Sequence, residues 1–105
     1  MASDIENYFH RFTNKILDLI ENGSRDGGYI DFWEGKKLFY IGYGDPTPKG
    51  SSKQSRITQI LVIVELRPER ILVTLKSKKF PGIRSVIAYI NEEKMKNKYS
   101  IEINC

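Results

Sequence analysis

The stretch Thr58–Lys79, TQILVIVELRPERILVTLKSKK, is the longest apolar, β-branched part of the chain. Its first half contains the unbroken run ILVIV at 60–64, and its second half contains the alternating run ILVTLK at 71–76. The polar segment Arg67–Arg70 between them is typical of a tight turn, because Pro68 needs no amide hydrogen bond there. We therefore predict a β-hairpin at the centre of a sheet. The unbroken run favours a buried middle strand, whereas the alternating run favours a strand with one wet face.

Residues 3–22 have the clearest helical pattern. Ser3 followed by Glu6 is the sequence of a capping box, which satisfies backbone N–H groups at the start of a helix. Apolar side chains then recur every three or four residues and form one stripe, made of Ile5, Tyr8, Phe9, Phe12, Ile16, Leu19 and Ile20. We expect Gly23 to end the helix in the left-handed conformation. His10 lies beside the stripe and is expected to be a partly buried packing residue.

Two aromatic-rich segments and a polar loop come next. Residues 29–33 and 37–41 have the composition of strands and predict a second hairpin. Residues 45–56 contain two prolines, a glycine and three serines. This composition predicts an exposed, mobile loop.

The C-terminal part leaves one choice open. Residues 83–90 fit a helical stripe, but they are also β-branched enough for a strand. We favour a helix over 83–96, followed by a strand at 99–103. The resulting order, αββββαβ, predicts an α+β fold in which residues 1–105 form a single two-layer domain. Its sheet is expected to have four or five mainly antiparallel strands, with two helices on one face.

The composition is that of a globular protein, with 40% hydrophobic and 29% charged residues. No run approaches the roughly 18 consecutive apolar residues of a membrane helix, and the N-terminus lacks the pattern of a secretory signal. The lone Cys105 offers no disulfide framework and no metal cluster. These features predict a cytoplasmic protein that has no membrane contact and needs no cofactor.

Charge is unevenly distributed along the chain. Residues 1–48 carry five basic and eight acidic side chains, whereas residues 49–98 carry twelve basic and four acidic ones. A basic half suggests an anionic partner, either nucleic acid or an acidic protein surface. Lysines that merely solvate or protect the outer part of a sheet would give the same pattern.

Basic residues interleaved with aromatic ones are the raw material of a nucleic-acid surface, because lysine and arginine contact phosphates while aromatic rings stack on bases. Alternation sends about half of the aromatic side chains of a hairpin into the core, so those next to turns are the best candidates for exposure. The candidate binding residues are Trp33, Lys37, Tyr43, Lys49, Lys53, Arg56, Arg67, Arg70, Lys76, Lys78 and Lys79.

A metal-dependent nuclease is a further hypothesis, because the element order resembles that of PD-(D/E)XK nucleases. Such a site needs acidic residues on neighbouring strands and a basic residue beside them. Asp31 and the sequence Glu65-Leu66-Arg67 imitate that pattern, although Arg67 stands where the family has lysine. The likeness is one of topology, and no catalytic residue is assigned from it.

The segment FPGIRSVIAYINEEKMKNKYSIEI, residues 80–103, resembles the C-terminal part of the MmcQ/YjbR-like small proteins. The likeness rests on Pro81-Gly82-Ile83 and on Ala88-Tyr89 followed by Asn91, and it covers about a quarter of the chain. The histidine and tryptophan of that pattern are missing here. The resemblance implies a helix-and-sheet domain that binds DNA, and it places no functional residue.

Taken together, these features predict a small non-enzymatic binding module. Nucleic acid, either DNA or RNA, is the first expected partner, met through a basic sheet face and the 45–56 loop. The alternative is a protein-interaction module, an adaptor or inhibitor, that uses the same basic face or an open sheet edge. An open edge would also let two copies of the chain pair as a homodimer.

Overall fold

A computed structural model describes residues 3–33, 35–42, 57–96 and 99–104. Two helices and five strands follow one another along the chain. They are α1 (Asp4–Gly23), β1 (Gly27–Trp33), β2 (Lys36–Gly42), β3 (Ile57–Arg67), β4 (Arg70–Leu75), α2 (Ile83–Lys96) and β5 (Ser100–Asn104). The α+β class and the order αββββαβ are confirmed.

The five strands form one mixed sheet in the order β1-β2-β3-β4-β5. β1 to β4 are antiparallel neighbours, and β5 lies parallel to β4 after the crossover through α2. A parallel neighbour requires such a crossover because the chain must return to the same end of the sheet. The predicted choice of a helix over residues 83–96 is therefore confirmed, and it explains the single parallel pair.

The β3–β4 hairpin supplies the middle of the core, as predicted. β3 is the central strand, and Val62 and Val64 on it are buried beneath the helices. β4 alternates, with Ile71, Val73 and Leu75 buried and the residues between them half-buried. The two strands are joined by Pro68 and Glu69, and Glu69 has a positive φ of 61°.

Helix α1 begins with the predicted capping box. The Ser3 hydroxyl accepts from the Glu6 N–H, and Glu6 Oε1 accepts from the Ser3 N–H at 3.1 Å. These backbone and hydroxyl hydrogen bonds lower the pKa of the Glu6 carboxyl, since they favour its charged form. Along the helix, the predicted stripe faces the sheet and is largely buried.

Gly23 and His10 differ from their predictions. Gly23 is still helical, and the helix is capped by Ser24 in an extended conformation. What Gly23 provides is space, because a Cβ atom there would lie 2.5 Å from the carbonyl oxygen of Pro81. His10 is exposed rather than partly buried, and its ring touches the Phe9 ring edge-on at 5.8 Å.

Both helices cover the same face of the sheet and close one core with it. The most completely buried side chains include Phe12, Ile16, Phe39, Leu61 and Ile90. Thr13 is buried among them, and its hydroxyl donates a hydrogen bond to the Phe9 carbonyl oxygen at 2.9 Å. Neither described helix combines the length and the apolar character that crossing a membrane would need.

The sheet has two chemically different ends. The turn end is formed by the turns at Gly35 and at Pro68-Glu69, where Lys36 lies opposite Glu65 and Arg67 opposite Arg70. The loop end is formed by the opposite strand ends: Gly27, Gly42, Ile57, Leu75 and Asn104. The candidate binding residues that the structure describes divide between these ends.

Candidate nucleic-acid interface

The segment Lys76–Lys79 leaves β4 at the loop end and is anchored to β3 by hydrogen bonds. The N–H groups of Lys76 and Ser77 both donate to the carbonyl of Leu61, at 2.8 and 3.2 Å. The Ser77 hydroxyl accepts from Gln59 Nε2 at 3.0 Å and from the Lys79 N–H at 3.3 Å. Ser77 is consequently buried, and its neighbours on both sides are directed outward.

Lys76, Lys78 and Lys79 are exposed, and no ion pair joins them to any acidic residue within the described ranges. Two arginines outside the predicted set lie on neighbouring segments. Arg25 follows the end of α1, and Arg84 is in the first turn of α2, where the two helix ends meet at Gly23 and Pro81. No local sequence signal separates them from other surface arginines, because their proximity comes from the packing of the two helices.

Four candidate residues, Tyr43, Lys49, Lys53 and Arg56, lie outside the described residues. They belong to the stretch 43–56, which joins Gly42 to Ile57. These two residues are cross-strand partners at the loop end. The covalent connection therefore begins and ends on the side of the sheet that carries Lys76–Lys79.

Arg67 and Arg70 lie at the turn end and have acidic partners. Arg67 makes two hydrogen bonds to Glu65 Oε2, at 3.0 and 3.1 Å, and Lys36 approaches the other oxygen of the same carboxylate at 3.8 Å. Arg70 pairs with Glu102 at 3.2 Å across β4 and β5. Much of the positive charge predicted for the hairpin tip is thus compensated locally.

Trp33 is 53% exposed, as predicted, and lies with Phe32 at the turn end. The ring centroids of Phe32 and Trp33 are 4.6 Å apart, and Phe32 is 57% exposed. The Lys36 ammonium lies 4.1 Å from the Trp33 ring centroid, so a cation already covers one face of this ring. Phe32 is not among the predicted binding residues, because strict alternation would direct the side chains of Phe32 and Trp33 to opposite faces of the sheet. A bulge between Asp31 and Trp33 breaks that alternation.

Lys37 is not part of an exposed site, which corrects the prediction. Its cross-strand partner is Val64, so it faces the helices, and only 8% of its surface is accessible. Its ammonium lies 4.9 Å from the centroid of the Tyr29 ring. The aliphatic stem of a lysine can cover apolar surface in this way.

The nuclease hypothesis requires Asp31 and Glu65 on the same face of the sheet, and the register separates them. Asp31 lies opposite Lys37, which lies opposite Val64, whereas Glu65 is the next residue along β3 and points to the other face. Within the described ranges, no cluster of three or more His, Cys, Asp or Glu side chains could hold a metal ion. This arrangement gives the pair no shared cation site.

A polar cleft between the helices contains a hydrogen-bonded group of titratable side chains. It is lined by Asp4, Asn7, Tyr8, Arg11, Glu93, Lys96 and Tyr99. The Tyr8 hydroxyl donates to the buried Glu93 carboxylate at 2.6 Å, and Lys96 pairs with the same carboxylate at 3.2 Å. Burial, assisted by Glu93, raises the pKa of Tyr8 far above its usual range. Burial and the same carboxylate raise the pKa of Tyr89 to about 12. These contacts join α1 to α2, which is a structural role.

Comparisons with protein-family models, with curated proteins and with solved structures find no match to this chain. The two resemblances noted in the sequence therefore gain no support from a family match.

Proposed function

We propose that this domain binds nucleic acid through the loop-end lysines Lys76, Lys78 and Lys79. The observation that carries the proposal is the contrast in charge pairing. At the turn end the basic side chains are paired with Glu65 and Glu102, whereas the three lysines have no acidic partner in the described part of the chain. An uncompensated cation gains most from meeting a phosphate, because it loses no internal ion pair.

The backbone of the segment favours binding for a second reason. Ser77 is anchored to β3 through the Leu61 carbonyl and the Gln59 amide, so the three lysines emerge from a fixed chain. Only their side chains need to be ordered when a partner binds, which lowers the entropic cost of binding. A mobile loop with the same charges would lose more freedom.

The chemistry of the segment predicts the kind of binding. Lysine ammonium groups contact phosphates as point charges and do not read base edges in a fixed geometry. Arg25 and Arg84 add positive charge on adjoining segments. We therefore expect binding that depends on salt and varies little with sequence.

The test is a titration of short single- and double-stranded DNA and RNA over a range of salt concentrations. Replacing all three lysines by glutamine is expected to weaken binding to every sequence. It should also reduce the slope of log affinity against log salt by about 2 to 3, close to one unit for each lost phosphate contact.

The matched control is the triple variant Lys36→Gln, Arg67→Gln and Arg70→Gln. It removes the same number of positive charges from the turn end and is expected to keep the wild-type slope. An equal loss in both variants would show an effect of net charge alone and would overturn the assignment to the loop end. If the wild-type protein binds no oligonucleotide at low salt, the proposal is rejected, and an acidic protein surface becomes the better partner for the lysines.

A further inference from the structure

The outer edge of the sheet, β1, is only lightly protected against pairing, by a single charged side chain and by a bulge at its end. No described strand pairs with its outer side. Its seven residues, GGYIDFW, include one charged side chain, Asp31, and neither lysine nor proline. The last five are exposed, with Ile30 at 37% and Phe32 at 57%. Such an edge offers unpaired backbone groups next to apolar side chains.

The opposite edge, β5, is protected in the usual ways. It has five residues, and its exposed positions are the polar or charged Ser100, Glu102 and Asn104. Glu102 is also engaged with Arg70. Short length and charge both disfavour edge pairing, so self-association through the sheet should use β1.

From the register of β1 we infer that two copies of this chain pair through their β1 edges, antiparallel, about a two-fold axis at Ile30. The N–H of Gly42 donates to the carbonyl of Asp26, one residue before β1. Backbone groups in an antiparallel pair alternate in direction. Those of Gly28 and Ile30 therefore point to β2, and those of Tyr29 and Asp31 point outward.

Centring the pair on Ile30 places Tyr29 opposite Asp31 of the second copy, twice by symmetry. Each of these is a pair whose outward N–H and carbonyl groups can bond to each other. A centre at Tyr29 would need the N–H of Gly27, which already donates to the Ser24 carbonyl at 3.2 Å. A centre at Asp31 would place two carboxylates face to face, which is unfavourable.

Side-chain shape supports the same register. β1 begins with Gly27 and Gly28 and ends with Phe32 and Trp33, so antiparallel pairing sets the small half of one copy beside the large half of the other. A Cβ at Gly28 would lie 2.8 Å from the Tyr40 hydroxyl, which shows that the Tyr40 ring covers this glycine. An aromatic ring of the second copy would therefore contact the Tyr40 ring and the glycine backbone of β1. Aromatic rings that cover glycine in this way stabilise sheets.

The open face of the sheet adds an apolar row across the axis. Ile30 lies opposite Leu38, and Leu38 lies opposite Ile63. Pairing at Ile30 would join this row to its copy and bury both isoleucines. Apolar cross-strand pairs of this kind stabilise antiparallel sheets.

The experiment uses the full chain, free of nucleic acid, in sedimentation equilibrium. The wild-type protein is expected to be a dimer. Ile30→Lys and Ile30→Glu should each be monomeric, because like charges would meet on the axis, and mixing the two variants should restore a dimer. Asn104→Lys adds the same charge to the other edge and should leave the wild-type dimer intact. A monomeric wild type, a dimeric Ile30→Lys variant or a mixture that fails to associate would overturn the register.

A cross-linking variant tests the same contact without adding charge. Ile30→Cys in a Cys105→Ser background should form an intermolecular disulfide under mild oxidation, since directly opposed residues of this kind lie about 4.5 Å apart between Cα atoms, within the range that a disulfide spans. Asn104→Cys in the same background should remain monomeric on a denaturing gel, and equal cross-linking of both variants would contradict the proposal. The dimer does not depend on nucleic-acid binding, so the triple loop-end lysine variant should associate like the wild type.

Discussion

The turn end and the loop end of the sheet are closed by different kinds of contact. At the turn end, long side chains pair with one another: Arg67 and Lys36 with Glu65, and Arg70 with Glu102. At the loop end, backbone meets backbone where Gly23 lies against Pro81, and Ser77 is fixed on β3. The first arrangement pairs basic side chains with carboxylates, whereas the second leaves the nearby lysines without an acidic partner among the described residues. The distribution of charge along a sequence therefore does not tell which basic side chains are free of internal ion pairs.

The largest effect is expected at the loop-end helix contact. Gly23→Ala should lower the free energy of unfolding by about 3 kcal/mol, as an added methyl group in a packed site forces the backbone to move. The methyl carbon would lie 2.5 Å from the Pro81 carbonyl oxygen, too close for two backbone segments to coexist unchanged. Urea unfolding measures the loss.

Asn22→Ala is the matched control, because Asn22 is exposed one residue earlier in the same helix. Alanine there should stabilise the protein by a few tenths of a kcal/mol, roughly the difference in helix propensity. If Gly23→Ala were as stabilising as the control, the two helix ends would not be in contact.

A smaller effect is expected at the side-chain contact near the turn end. Tyr8→Phe removes the hydroxyl that donates to the buried Glu93 carboxylate and should cost about 2 kcal/mol. The pKa of Tyr8 is raised in the fold, so its contribution is complete below the unfolded pKa of about 10 and declines as the pH rises above it. Urea unfolding of wild type and of Tyr8→Phe should therefore show a smaller difference in the free energy of unfolding at alkaline pH than at neutral pH.

Tyr89→Phe serves as the control for that experiment. No hydrogen bond of the Tyr89 hydroxyl is found among the described residues, and its ring would keep its stacking on Phe12 at 5.5 Å. Its loss at neutral pH should stay below about 0.5 kcal/mol, the range of substitutions that break no buried contact. Equal losses in the two variants would mean that the bond to Glu93 contributes little.

Of the three contacts compared, the smallest effect is expected at the tip of the β3–β4 hairpin, and it is a gain in stability. Glu69 has a positive φ of 61°, a left-handed conformation that costs a residue with a Cβ about 1 kcal/mol. Glu69→Gly should raise the free energy of unfolding by up to about 1 kcal/mol, because glycine relieves this strain. The gain is reduced because glycine also increases the conformational entropy of the unfolded chain. Thermal unfolding measures the change. Glu69→Ala removes the same charge but keeps the strain, so a gain in the alanine variant would point to charge instead.

Local patterns in the sequence were sufficient for most of the fold. The capping box at Ser3 and Glu6, the apolar stripe of α1 and the apolar run of β3 each depend on neighbours within a few residues, and each is confirmed. Lys37 and Gly23 were misread because their roles depend on distant partners. Val64 lies opposite Lys37 across the sheet, and Pro81 approaches Gly23 from the turn that precedes α2.

The candidate site shows the same division. The basic content of residues 76–79 and the exposure of Trp33 could be read from composition and from proximity to turns. The pairing of Arg70 could not, because Glu102 is 32 residues away and reaches it only through the parallel β4–β5 pair. Arg25 and Arg84 join the loop end by helix packing, for which a single sequence has no local signal.

The elements and their order could be predicted from the sequence, since hydrophobic periodicity, caps and turn residues act over distances of one to four residues. The fold then sets which of the described charges are neutralised, which glycine needs space and which sheet edge has no described strand beside it. Those properties depend on residues that meet across strands and between helices. The central hairpin shows both kinds of property. Its apolar strands could be predicted as core from the sequence. The fold shows that Arg67 and Arg70 at its tip are paired with carboxylates, whereas Lys76, Lys78 and Lys79 have no acidic partner among the described residues.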